Sequence, residues 1–307
     1  MSWPGFQPLM LQLLWGLFGA GIAWYALHVG SEITYATLAD GRRQVRRIPL
    51  LIRMHLPLTP NLFRLVRRPA FARAREKFDR RLMAAGYEGV LSGEEMLALK
   101  GLMLVFSGAF WVLFVHAAAA AAPGSIVDRS ELLLTVMGTL WLFAYPDLWL
   151  KRTLQARHRS IQKALPFVLD LLTLSVEAGL DFMTAMQRNI QRRPIDPLNE
   201  ELIRLVREIQ LGKTRAQALR DLGRRVDLSD LKSVVYALVQ ADELGVSIGS
   251  ILRIQADQMR QRRFERAEKL ANEAPVKMLF PLMVFIFPAV FLILLGPIIN
   301  RLIQQGL

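Results

Sequence analysis

The 307-residue chain contains no cysteine, which removes disulfides, thiolate metal sites and cysteine nucleophiles from consideration. Histidine is nearly as scarce: His28, His55, His116 and His158 are scattered without metal-ligand spacing. Acidic residues are a minority, with 26 Asp and Glu against 39 Lys and Arg. Only Asp147 approaches an apolar run, so the two acids of an intramembrane aspartyl protease are missing. It lies one turn before Lys151 and Arg152, so the expectation is that it reaches to the interface. No serine or threonine has a histidine and acid companion, and the chain is expected to be no enzyme, with no catalytic, cofactor-binding or metal-binding residue.

What the chain has in quantity is apolar sequence: 53% hydrophobic residues and a mean hydropathy of +0.28. The apolar residues cluster into runs of bilayer-spanning length. Residues 1–29 hold the first, Pro8–Val29, which no Lys or Arg precedes, so it reads as a retained anchor. Residues 30–100 form a basic segment with a helix over Phe71–Ala85, ended by Gly86, and a capping box at Ser92-Gly93-Glu94-Glu95. Residues 101–150 make a hairpin of two spans, Gly101–Ala122 and Leu132–Leu150, broken at Pro123-Gly124. Residues 151–277 are polar and helical, residues 278–299 form a fourth span, and residues 300–307 are a short outer tail.

Basic residues number 0, 14, 1, 23 and 1 along the five segments outside these spans. The positive-inside rule then puts the N- and C-termini outside and the two basic regions in the cytoplasm of a multi-pass inner-membrane protein. Membrane orientation explains the net charge of +13, so no nucleic-acid partner is expected.

The polar region carries Gly179, Gly212 and Gly245 at intervals of 33 residues, each followed two positions later by a residue able to cap a helix: Asp181, Thr214 and Ser247. With helical periodicity on both sides of each glycine, this predicts three hairpins and a closed antiparallel bundle of about six helices. The fold class is all-α, with four transmembrane helices. The last bundle helix is expected to run on into the fourth span, where Pro281, Pro288 and Pro297 should kink it. Gly212-Lys213-Thr214 resembles the end of a phosphate-binding loop, but Arg207 stands where that loop needs glycine, so the tripeptide reads as a hairpin turn.

The run Ala164-Leu165-Pro166, Leu169-Asp170-Leu171-Leu172 and Glu177-Ala178-Gly179-Leu180 resembles the opening of the type II secretion F domain. The closing run Pro275-Val276-Lys277, Phe280-Pro281-Leu282, Phe285-Ile286-Phe287-Pro288-Ala289 and Leu295-Gly296-Pro297 is similar to the C-type platform proteins of the Tad (tight adherence) pilus. The resemblance implies a non-enzymatic inner-membrane platform for pilus assembly and protein secretion. Its implied partners are a hexameric secretion ATPase, a TadB-like paralogous platform protein, pilin and membrane lipid, in a homo- or hetero-oligomer. The competing reading is a transporter or permease subunit with a regulatory bundle, which would need polar residues along the spans. Two charged groups are candidates for partner contact: Arg224, Arg225 and Asp227 in a turn, and the stripe Arg260, Arg262, Arg263 and Arg266 near the membrane.

Overall fold

The computed structural model describes residues 35–37, 43–46 and 48–304. The expected span Pro8–Val29 lies outside the described residues. A short antiparallel hairpin pairs β1 (Tyr35–Thr37) with β2 (Arg43–Val45), Tyr35 standing opposite Val45. These six residues are the exception to an otherwise all-helical fold among the described residues; alternation over three residues is too short to be read as a strand. Everything else described is helix and turn.

After β2 come α1 (Leu50–His55), α2 (Phe63–Val66) and α3 (Ala72–Ala85), joined by the 3-10 turns Leu56–Leu62 and Pro69–Phe71. The second turn takes Phe71, the residue expected to start α3. Gly86 ends α3 in the left-handed region at φ +79°. α4 (Gly93–Leu102) opens with the expected capping box: Ser92 Oγ accepts from the Glu95 N–H, and the Glu95 carboxylate accepts from the Ser92 N–H. A π turn, Met103–Ser107, carries the same helix into α5 (Gly108–Ala121). Phe78, Leu82, Met96 and Leu99 form a small core here that also takes Leu150.

Beyond the one-turn α6 (Ile126–Arg129) lies α7 (Glu131–Glu177), a single helix of 47 residues. Pro146 and Pro166 both sit inside it. The third expected span and the first bundle helix are therefore one rod, and the boundary at 150/151 falls within it. The remaining elements are α8 (Phe182–Arg192), α9 (Pro197–Gln210), α10 (Arg215–Val226), α11 (Ser229–Leu244) and α12 (Ile248–Pro281). A π turn, Leu282–Ile286, then leads to α13 (Phe287–Gln304). Pro281 ends α12 and Pro288 lies in the first turn of α13, so the wider π turn falls between two residues without a backbone donor. Pro297 is carried within α13. Three helical stretches are long and apolar enough to cross a membrane: Gly93–Ala121, Glu131–Glu177 and Ile248–Arg301.

The second half of α7, the first half of α12 and the four helices between them share one core, centred on Ile161, Leu165, Leu172, Leu205, Leu222 and Leu252. Successive helices reverse direction at Gly179, Gly212 and Gly245. All three glycines adopt positive φ (+90°, +98° and +67°), where a side chain would be strained. Each turn closes with the long backbone bond of a Schellman cap: Leu180 N–H to Ser175 C=O, Lys213 N–H to Glu208 C=O, and Val246 N–H to Ala241 C=O. Asp181 and Thr214 cap the following helices with their side chains. Ser247 stands at the N-cap of α12 without a side-chain cap bond, although its C=O accepts from Ser250 Oγ.

Candidate functional site

The polar heart of the bundle is α9. Its core face is set by Leu198, Leu202 and Leu205, and this rotation pulls Glu200 and Glu201 inside as well, 5% and 7% exposed. Buried carboxylates need partners, and arginines from three directions supply them. Arg157 of α7 donates to Glu200 at 2.7 Å and to Glu201 at 3.0 Å. Arg46, just after β2, donates to the same Glu200 oxygen at 2.7 Å. Arg225 of α10 donates to Glu201 at 3.2 Å and to Glu208 at 2.8 Å. One chain of ion pairs thus joins the N-terminal segment, α7, α9 and α10. Arg157 also lies flat on Gly86, where an added Cβ would come within 2.6 Å of its guanidinium.

The network opens outward into a polar cleft of about 570 Å³ between α3 and the α9–α11 side of the bundle. Arg204 bridges the gap, meeting Glu208 at 3.2 Å and Glu88 from the loop before α4. Lys213 lies 3.0 Å from Asp221 and 3.3 Å from Glu208. These contacts set the charge states: hydrogen bonding from Lys213 holds the Asp221 carboxyl below its usual range, and Asp221 with Glu208 raises Lys213. Gly212-Lys213-Thr214 is a helix-to-helix turn whose lysine is spent on this pair.

The three turn candidates part company here. Arg224 is exposed, with Asp221 as its partner. Asp227 is exposed and pairs with Lys232; among the described residues it is the one non-glycine at positive φ, 53°, ending α10. Arg225, by contrast, is 6% exposed and pairs with Glu201 and Glu208 in the interior network. On α10 it faces the acids of α9, while its neighbour faces out.

The stripe on α12 is likewise bound to the bundle. Arg262 at 3.1 Å and Arg266 at 2.5 Å both hold Asp230, at the start of α11, which also accepts from Gln162 of α7. Arg260 donates to Asp170 of α7 at 2.6 Å, a bond that raises the arginine further. Of the four, Arg263 alone is exposed with no ion pair to a described residue. The stripe therefore works mainly as a seam between α12, α7 and α11.

At the edge of the apolar zone, Lys100 donates to Asp147 at 2.6 Å and lies 4.4 Å from the Phe143 ring. The acid is held by α4 instead of reaching alone for the interface. Further along, Trp111 donates to the Leu134 carbonyl at 3.0 Å and rests on Gly138, where a Cβ would fall 1.9 Å from the indole nitrogen. Among the described residues no group of three or more His, Cys, Asp or Glu could hold a metal ion.

The buried acids of α9 were legible only in part. Glu201 and Glu208 are seven residues apart and so share a helix face, but their burial depends on Arg157 and Arg225, which lie on other helices.

A helical bundle whose first and last helices run on as long apolar rods has the make-up of a membrane protein with a folded polar part. Residues 168–296 match the family model for Type II secretion system (T2SS), protein F, so this stretch carries a domain of that family. The match runs from within α7 to within α13, taking in the bundle and most of the last apolar helix. Neither the curated proteins nor the solved structures compared with the chain gave a match.

Proposed function

We propose that the chain is an inner-membrane platform protein for a pilus of the tight adherence type, coupling a hexameric cytoplasmic secretion ATPase to pilin extraction and pilus growth. The observation that carries this reading is the extent of the family match, which covers the bundle and the apolar helix joined to it as one unit. In this reading residues 151–277 lie in the cytoplasm, with both termini outside, which the distribution of basic residues supports. Residues 30–100 lie on the same side, where Arg46 and Glu88 bind them to the bundle. ATP hydrolysis belongs to the partner, since the chain's most nucleotide-like tripeptide is a turn. A TadB-like paralogue completes the platform as a hetero-oligomer, and Arg263 is open for contact with it or with lipid headgroups.

The reading is tested by isolating the protein from native membranes after mild crosslinking and identifying what accompanies it. A secretion ATPase and a second F-domain protein are expected; recovery of neither overturns the proposal.

A further inference from the structure

We infer that the cleft beside α9 is a binding site for a small anion bearing phosphate groups. Its lining holds six cations, Arg80, Arg204, Lys213, Arg224, Arg225 and Lys232, against four carboxylates. Every one of those carboxylates is already taken. Glu208 serves Arg204, Arg225 and Lys213; Asp221 serves Lys213 and Arg224; Glu88 and Asp227 hold Arg204 and Lys232. Within the lining the cations outnumber the carboxylates by two, and the balance is made up from outside it, by Glu201 for Arg225 and Glu76 for Arg80.

Two positions make that excess specific. Arg225 is more than nine-tenths buried, yet its Nη2 finds no acceptor among the described residues. On the opposite wall Arg80 is 72% exposed and, among the described residues, pairs only with Glu76, at 3.9 Å. A phosphate group accepts several N–H bonds at once and matches the fork of a guanidinium. Cations on both walls and one at depth favour a ligand with more than one anionic group over a lone carboxylate. About 570 Å³ is the size of a small-molecule pocket and exceeds the needs of a single ion. Such a ligand would come either from a soluble phosphorylated compound or from a phospholipid headgroup. The inference does not rest on the platform reading and stands or falls without it.

The test uses the full-length protein in phosphatidylcholine nanodiscs, titrated calorimetrically with inorganic pyrophosphate. One-to-one binding is expected, weakened at least about tenfold when Arg80, Arg224 and Lys232 are together replaced by glutamine, since each lost charge-assisted bond is worth roughly that factor. All three are surface residues, so the variant should fold, and Lys269→Gln, outside the cleft, should bind as the parent does. Repeating the titration in phosphatidylglycerol nanodiscs separates the sources. Competition that lowers pyrophosphate affinity identifies a headgroup, and unchanged affinity identifies a soluble ligand. No binding at millimolar pyrophosphate, or equal binding by the triple variant, overturns the inference.

Discussion

The molecule has two rods, and they are fixed in different ways. Both α7 and the α12–α13 rod begin or end in the bundle, where they lie antiparallel and are stitched by Arg253–Glu177 and Arg260–Asp170. Beyond the bundle they diverge in character. The apolar half of α7 leans on α5 through Trp111 and Gly138, and on α4 through Lys100–Asp147. The other rod has no buried residue between Phe264 and Arg301 among those described. One rod is thus clamped at both ends, whereas the other is clamped by its protein neighbours only at the bundle. In an apolar solvent, side-chain burial gives little preference for one packing over another, so polar pairs and small-residue contacts decide which helix is held.

Breaking the clamp at the bundle should have the largest effect. Arg157→Met leaves Glu200 and Glu201 buried with one partner fewer each, and should destabilise the bundle by about 3–5 kcal/mol. Thermal unfolding in detergent, followed by circular dichroism, checks it; an unchanged midpoint would mean that water reaches these acids freely. Gly138→Val attacks the clamp in the apolar half. It drives a side chain into Trp111 and should cost about 1–3 kcal/mol, read as a lower midpoint of thermal unfolding.

Acid should loosen the bundle before it touches the free rod. Asp221, held low chiefly by Lys213, and Glu94, held low chiefly by Arg67, both have folded-state pKa values below their unfolded ones. Their stabilisation is complete above the usual carboxylate range and is lost as pH falls through the lowered values. At the alkaline end Lys213, raised by the same contact, loses its contribution as pH climbs through its own raised value. A midpoint that holds steady from neutral pH to below the usual carboxylate range would contradict this. The smallest effect belongs to the unclamped rod: Leu292→Ala should shift the midpoint by less than about 0.5 kcal/mol in the isolated chain. A larger loss would show that another helix covers it.

The sequence announced some of these features and concealed others for definite reasons. The turns at Gly179, Gly212 and Gly245 were readable because positive φ is a local demand that glycine meets best. The capping box at Ser92 was readable on the same ground, as was the continuity of α12 with the last apolar run. The continuity of α7 was hidden, since Pro146, Pro166 and the basic pair Lys151 and Arg152 look like punctuation. The burial of Arg225 was hidden because arginine beside arginine suggests a solvated turn; only the partner acids on α9 reveal which of the two turns inward. The packing of residues 30–100 on the bundle rests on Arg46 and Glu88, contacts 154 and 116 residues away in sequence. No local pattern reports pairings of that range.

The uninterrupted length of the last rod carries a geometric consequence. Its 54 residues extend roughly 80 Å at the helical rise, while its grip on the bundle ends near Arg266. A tilt of about 5° where the grip ends therefore sweeps the tip of the roughly 53 Å beyond it through about 5 Å, close to one helical pitch. By its geometry the rod is a lever arm: a rotation too small to disturb core packing would become a displacement of molecular size at its tip.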